Sequence, residues 1–530
     1  MKETKLSQEQ ILVINSNNNL KRYLSGLSVG KPEGTPQSAL YNIKGKVKCL
    51  SPDQILKEWK EILIELENSS DEYEVEVFRF DLEQEAKYGK QGVIPPMDSV
   101  FETVVQPTFA DKKVAEAFSS SEWAAAKRQV VKLLHRAGCK GLSPISYQRV
   151  VDDMRARDTI SSNSGWPDYA KRRLPEVIKR AIEDAQTGRW RTYPAIALFR
   201  DYRQKVRLVW MFPMSTNLVE GSYYQPLQSI IGKSFLADSF FAPWKGFETV
   251  RKVLTSQYAD KRFIAASDFK STDANFTLAA SLEVCSVLEQ CFQPRYREGL
   301  RESIVHMHNI PLIVSSETMI EGEHGVASGS NWTNFIETIF DIILGEYVKQ
   351  LDSYDVCYAI GDDMTWSSPA YDADFAVRLE EYGKAVGQTI KAEKTHNDPD
   401  KVVTLQRLIQ RGYLRPDSSV RCVYPTVRAL NSLVNPERMH RKKDWSKDMS
   451  AIRSIMILEN CVDHPLYEQF VRFVCKGDPY LAVFSRKSSR AQEALYRKSK
   501  SISGLNITYN QEKRDVGISQ FRTVALLATL

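Results

Sequence analysis

Two carboxylates stand side by side in Tyr358-Ala359-Ile360-Gly361-Asp362-Asp363-Met364-Thr365-Trp366, and the apolar residues on either side mark a β-hairpin turning at Gly361. Adjacent carboxylates on a tight turn repel each other, so such a site gains from bound cations. Mg²⁺ prefers hard oxygen ligands and is commonly held by one or two carboxylates plus substrate phosphates. Taken alone, the tripeptide is an ordinary surface turn as readily as a site. A second acidic segment, Asp268-Phe269-Lys270-Ser271-Thr272-Asp273, follows a short apolar strand, Arg262 to Ser267, which sets Asp268 at a strand end able to meet the hairpin tip. Asp268 and Asp362 would then hold two metal ions, roughly 3.5–4 Å apart in sites of this kind. That chemistry suits phosphoryl transfer, which needs positioning and charge neutralisation more than covalent participation.

Between the acidic segments runs Gly325-Val326-Ala327-Ser328-Gly329-Ser330-Asn331-Trp332-Thr333-Asn334. Its small residues permit close approach to a sugar or base, and Ser328, Thr333 and Asn334 offer hydroxyl and amide partners. The same residue types also cap a helix N-terminus, and both uses are compatible. Upstream, in Arg200-Asp201-Tyr202-Arg203-Gln204-Lys205-Val206-Arg207, a strand would project Arg203, Lys205 and Arg207 from one face. Three cations there would guide a triphosphate and stabilise a departing pyrophosphate. A basic edge strand that resists aggregation has the same pattern.

The elements that must position these groups are legible around them. Apolar spacing predicts helices over Gln54 to Asn68, Ser121 to Ala137, Thr277 to Cys291, Asn331 to Leu351 and Phe375 to Val386, with a strand-like Gln388 to Lys391. Strand, helix, helix, hairpin, helix, strand gives an antiparallel sheet with helices on one face. Residues 1 to about 55 are polar and irregular, which fits an arm lying over the molecule or simple disorder. The last segment, Ser501 to Leu530, is expected to pack as a strand or to reach towards the cleft.

At 530 residues the chain exceeds one compact core, so several subdomains are expected. Its net charge of +6 hides basic clusters at Lys171 to Arg173, Arg438 to Lys443 and Arg486 to Lys500, which beside an acidic centre suit a polyanionic template. Eight cysteines lack zinc-ligand spacing and read as buried thiols of a reducing compartment. No apolar run has the length of a membrane span, and a soluble intracellular protein is expected.

DxxxxD, SGxxxTN and GDD in this order resemble the motifs of viral RNA-dependent RNA polymerases, most of all those of picobirnaviruses and related partitivirus-like double-stranded RNA viruses. Ser328 lies 60 residues after Asp268, and Asp362 lies 34 after Ser328, both reasonable for a polymerase palm. The resemblance spans roughly Ser161 to Tyr413. It implies an α+β fold, a closed right hand, with an N-terminal arm (1–60), fingers (61–260, with a return segment at 274–325), palm (261–413), thumb (414–500) and C-terminal tail (501–530).

By the same resemblance Asp268, Asp362 and Asp363 are the metal ligands, for two Mg²⁺ or Mn²⁺ ions, and Lys394 protonates the departing pyrophosphate, with Lys391 a neighbouring competitor. Asp273 with Ser328, Gly329, Thr333 and Asn334 binds the substrate ribose, whose 2′-hydroxyl separates RNA from DNA. Many positive-strand polymerases carry this amide three residues further on, where Glu337 stands here. Ser164, Gly165, Trp166 and Pro167 resemble the loop that guides the template, with Trp166 available to stack on a base. The implied partners are template and nascent RNA, NTPs and a capsid protein, with a monomer acting in the host cytoplasm and the virion interior. The implied function is replication and transcription of a double-stranded RNA genome, initiated without a primer. A reverse transcriptase, or a degenerate RNA-binding protein of the same fold, is the alternative.

Overall fold

A computed structural model describes residues 1–43, 48–156, 159–438, 444–502, 505 and 516–530, with Asp273 described in its backbone only. Of the Arg438 to Lys443 cluster, only Arg438 therefore lies among the described residues.

Three sheets organise the chain. The first has the order β1-β6-β5-β2-β3, from Lys2–Lys5, Thr318–Glu321, Leu312–Ile313, Ala195–Tyr202 and Lys205–Met211. The second, β7-β8-β4-β9, is antiparallel and comes from Asp355–Ile360, Asp363–Ser368, Phe263–Asp268 and His396–Asn397. The third joins β10 (Lys401–Thr404), β11 (Arg407–Leu414) and β12 (Val420–Val423).

The second sheet follows from alternation along β4. Ala265, with Ala359, Met364 and Trp366, faces the apolar sides of the Thr333–Val348 and Phe375–Ala385 helices. Ile264 and Ala266, one residue out of phase, meet the Phe247–Ala259 helix and the third sheet through Phe247, Val250, Val402 and Ile409. Helices thus cover one face as expected, while a helix and a small sheet together close the other. Gln388 to Lys391 does not form a strand. Ile390 makes only an isolated bridge to Phe269, and the fourth strand is the short β9.

The N-terminal residues are ordered as β1 and two helices, Gln8–Ser16 and Asn18–Val29. β1 adds to the first sheet by pairing with β6, Lys2 opposite Glu321. The chain then crosses the molecule. Leu40 to Phe80, with the Pro52–Leu63 and Glu72–Glu83 helices, shares one apolar core with residues from Leu408 to Leu527. The expected boundary at residue 61 between arm and fingers falls inside the Pro52–Leu63 helix, which shares its core with the Glu72–Glu83 helix and residues 408–527. The predicted helix over Gln54 to Asn68 is present, but its sequence does not say which core its Trp59 enters. Trp59 donates to Thr426 Oγ1 at 2.9 Å, and Asp81 accepts from Thr426 Oγ1 at 2.9 Å, from the Val427 amide at 2.7 Å and pairs with His464 Nε2 at 2.8 Å.

A buried charge cluster ties the same core to the Phe247–Ala259 helix. Asp463, 3% exposed, meets Arg251 Nη2 at 3.0 Å, Arg415 Nε at 2.5 Å and the Cys422 amide at 2.9 Å. Among the described residues of the final segment, Arg522–Ala528 form a helix where a strand or a reach towards the cleft was expected; residues 503, 504 and 506–515 lie outside the described residues. The N-terminal amides of this helix are capped by the buried Glu459 carboxylate (Arg522 N at 3.1 Å, Thr523 N at 2.9 Å), while Phe521, Val524 and Leu527 enter the core. An anion at a helix N-terminus is favoured by the orphan amides there. Leu527→Ala is expected to cost about 2–5 kcal/mol by leaving a cavity, read as a lowered Tm; an unchanged Tm would mean the helix does not stay packed. Seven of the eight cysteines are buried, with Cys49 the exposed exception, and none is in a disulfide. Among the described residues no helix is long and apolar enough to cross a membrane.

Candidate active site

The two acidic segments meet through strand register. β4 runs antiparallel to β8 with Asp268 opposite Asp363, and β7 turns into β8 through Gly361 and Asp362. Gly361 has φ +61°, and a Cβ there would lie 2.7 Å from Asn334 Nδ2, so both conformation and space require glycine. Thr338, one turn along the helix from Asn334, accepts from the Gly361 amide at 2.9 Å through its hydroxyl and donates to the Asn334 carbonyl at 2.6 Å. The Phe269 amide donates to the Asp362 carbonyl at 3.2 Å, fixing the hairpin tip against the end of β4.

Bringing these carboxylates together shifts their protonation. Burial and the neighbouring Asp362 push the Asp268 carboxyl up to about 6, against the pull of Lys394 and Lys205. Burial, Asp362 and Asp268 hold Asp363 well above the usual carboxylate range. Behind the hairpin, Asp341 is fully buried on the Thr333–Val348 helix with neither carboxyl oxygen hydrogen-bonded among the described residues, and is likewise raised. This crowding of negative charge fits a cationic ligand. Among the described residues no three acidic, cysteine or histidine side chains converge into a ready-made cage. Mg²⁺ accommodates that, since it commonly completes its coordination with water and substrate phosphate.

The segment Gly325 to Asn334 divides its labour. Ser328 and Asn334 are exposed, and Asn334 lines the cleft beside the hairpin. Thr333 instead points inward, its hydroxyl on the Ala327 carbonyl at 2.6 Å, and closes the loop rather than facing a sugar. Gly329 is set by backbone crowding: a Cβ there would fall 1.7 Å from the Trp210 carbonyl of β3. The Asp273 side chain lies outside the described residues; its backbone belongs to the short Thr272–Asn275 helical turn. Beside Asn334, Asp362 and Asp363 opens a cleft of about 580 Å³ also lined by Tyr224, Lys233 and Trp244.

The basic strand is a hairpin. Arg203 and Gln204 both have positive φ (53° and 61°) and form the two-residue turn between β2 and β3, Tyr202 opposite Lys205. Lys205 and Arg207 share an exposed face of β3, as alternation requires. Arg203 does not join them. Its guanidinium is buried, donating to the Arg428 carbonyl at 3.2 Å and lying over the Tyr202 ring. Two cations that motif reading missed complete this side. Arg428 belongs to the Thr426–Val434 helix and Lys87 to a short 3₁₀ turn, and burial together with Arg428, Arg203 and Lys394 lowers the Lys87 pKa. No spacing along the chain joins residues 87, 203, 394 and 428, so only the tertiary fold gathers them. Lys394 is exposed, and Lys391 pairs with Glu393 at 3.6 Å.

The Ser164 to Pro167 loop is built into the core. Ser164 is 2% and Trp166 4% exposed, Ser164 Oγ accepts from the Ala170 amide at 3.1 Å, and a Cβ on Gly165 would meet the Phe212 carbonyl at 2.4 Å. Trp166 therefore supports the loop from within and is not presented for stacking; Pro167 lines a cavity beneath the N-terminal helices.

Paired carboxylates on a hairpin, a third on the adjoining strand and a cationic flank, set among fingers, palm and thumb, give the chain the fold of a closed right-hand polymerase. No family model matches it. Over 496 residues it is 25% identical to the "Potential RNA-dependent RNA polymerase" of human picobirnavirus (strain Human/Thailand/Hy005102/-), spanning 87% of this chain and 85% of that one. A shorter match, 24% over 204 residues (36% of this chain, 38% of the relative), is to the "RNA-directed RNA polymerase" of Cryptosporidium parvum virus 1 (strain KSU-1). The crystal structure of a human picobirnavirus RNA-dependent RNA polymerase superposes with a TM-score of 0.79 at 22% identity, covering 99% of this chain and all of that one. Its insertion-loop deletion mutant gives 0.78 at 21%.

Proposed function

We propose that this chain is an RNA-dependent RNA polymerase acting in viral RNA replication and transcription. The observation that carries the reading is the register of β4 against the β7–β8 hairpin, which gathers Asp268, Asp362 and Asp363 beside the exposed Asn334. Asp268, Asp362 and Asp363 would hold two Mg²⁺ or Mn²⁺ ions. When bound, such ions activate a 3′-hydroxyl and neutralise charge on the transferring phosphate. Lys205, Lys394, Lys87 and Arg428 form the cationic side of the site, suited to the triphosphate and departing pyrophosphate, and Lys394 lies close enough to Asp268 to act on its charge. Lys394 is the group proposed to give the pyrophosphate its proton. Ser328, Asn334 and Asp273 are proposed to read the ribose. Initiation without a primer, a double-stranded RNA genome, a capsid partner, a monomeric state and action in host cytoplasm and virion belong to the same reading and rest on likeness to the picobirnavirus relative.

RNA-templated incorporation tests it. The expected result is NTP-dependent product that requires Mg²⁺ or Mn²⁺ and is not matched by dNTPs. Product from dNTPs alone would favour a reverse transcriptase, and RNA binding without any product, with either metal, would favour a non-catalytic protein of this fold.

A further inference from the structure

The ribose-facing loop is held by residues in none of the recognised motifs. The Met214–Ile231 helix buries Asn217 and Glu220, each 1% exposed, beneath residues 329–331. Glu220 accepts from Ser330 Oγ at 2.6 Å, from the Asn331 amide at 2.9 Å and from Asn217 Nδ2 at 3.0 Å. Asn217 Nδ2 also donates to the Gly329 carbonyl at 3.1 Å, and the Asn217 carbonyl accepts from Asn331 Nδ2 at 2.9 Å. On the far side of this hub Arg172 donates through Nη2 to Asn217 Oδ1 at 2.7 Å and through Nε to the Asn163 carbonyl at 2.9 Å, next to the Ser164 to Pro167 loop. The opposite edge of residues 328–329 is pressed on β3, where a Cβ on Gly329 has no room and Ser328 Oγ accepts from the Trp210 amide at 3.4 Å.

A buried carboxyl is costly unless its acceptors are filled. Burial pushes Glu220 up to about 7, opposed by its hydrogen bonds to Ser330, Asn331 and Asn217 and by the Arg172 charge. The surroundings that accept this cost are loop backbone and loop side chain on one side and the Arg172–Asn163 link on the other.

Resting on the polymerase reading, we propose that Glu220 and Asn217, bridged by Arg172, are positioning residues that hold the ribose-reading loop in register with the Asn163 to Pro167 loop and so set the choice of ribose over deoxyribose. They touch no substrate. Their effect is to hold the Ser328 hydroxyl and Asn334 amide at the place where a 2′-hydroxyl arrives.

Steady-state incorporation of an NTP and its matching 2′-dNTP, on one primed RNA template, tests this in wild type, Glu220→Gln, Ser330→Ala and Arg172→Met. Loss of a hydrogen bond to a charged group predicts that the NTP-to-dNTP ratio of kcat/KM falls by roughly tenfold in each variant, with the NTP value falling less than the ratio. Ser330→Ala removes only a loop hydroxyl, so it decides the matter if Glu220→Gln does not fold. Parallel loss of NTP and dNTP incorporation, or an unchanged ratio, would overturn the proposal, since a merely structural role moves both substrates together. An unchanged ratio in Arg172→Met alone would overturn the link to the second loop. Wild type with no RNA-templated product would overturn the polymerase reading and this inference with it, whereas an active wild type with indifferent variants overturns the inference alone.

Discussion

Asp362→Asn is expected to reduce RNA-templated NTP incorporation by roughly a thousandfold or more, because a hairpin carboxylate that neutralises phosphate charge through bound metal contributes several kcal/mol to the transition state. The same substitution is expected to raise the Tm of the metal-free protein. Asp362 is one of the causes that keep the Asp268 proton on up to about pH 6. The sign follows from linkage: a carboxyl raised in the folded state above its usual 3.8 favours folding most at low pH, and that contribution disappears as pH rises through about 6. Metal-free wild type should therefore be less stable at pH 8 than at pH 5. Mg²⁺ should recover stability at pH 8, and Asp362→Asn should flatten the pH dependence. Thermal unfolding with and without EDTA reads all three. Equal incorporation by wild type and variant would move the active site elsewhere, and a pH-independent Tm would mean that the carboxylates do not repel as their packing implies.

The largest expected effect on stability comes from Asp463→Ala. Burial alone would raise this carboxyl, yet Arg251 and Arg415 hold it below the usual carboxylate range. Arg251 is 1% exposed, and its other carboxylate partner, Glu248, is half exposed. Removing Asp463 leaves a guanidinium buried without its main counter-charge, which costs about 3–5 kcal/mol. The Cys422 amide loses its acceptor as well. Urea unfolding should show the midpoint shifted down with the slope kept. The double variant Arg251→Met with Asp463→Leu is expected to recover most of the loss, because an apolar pair of similar volume replaces a buried ion pair at little cost. A single variant as stable as wild type would show that water or a rearranged side chain reaches Arg251.

Much of the candidate site was legible in the sequence, for local reasons. A glycine at a turn, apolar alternation on either side and an acid at a strand end are short-range signals, so β4, the β7–β8 hairpin and the helix after Asn331 stand where the sequence predicted them. The turn at Arg203 was not legible, because two non-glycine residues in left-handed conformation carry no turn signal and the basic run reads as one strand. Gln388 to Lys391 has strand-like composition, but the edge of β4 pairs with His396 and Asn397. Thr333 and Trp166 have residue types that suit a ligand, but both are buried, Thr333 on the Ala327 carbonyl and Trp166 in the core. Lys87, Arg428 and Glu220 were invisible because their partners lie far away along the chain.

The crossing of residues 1–88 over the molecule also has a meaning in time. β1 waits for Glu321, and the helices around Trp59 and Asp81 wait for Thr426, His464 and Phe470. At ribosomal rates of about 5–20 residues per second, roughly 20 to 80 s separate synthesis of residue 88 from that of residue 477. Through that interval residues 40–80 lack the core of residues 408–527 in which they pack. A chain halted in translation just after the hairpin carboxylates therefore has its acidic centre but neither that core nor Arg428, which completes the cationic flank.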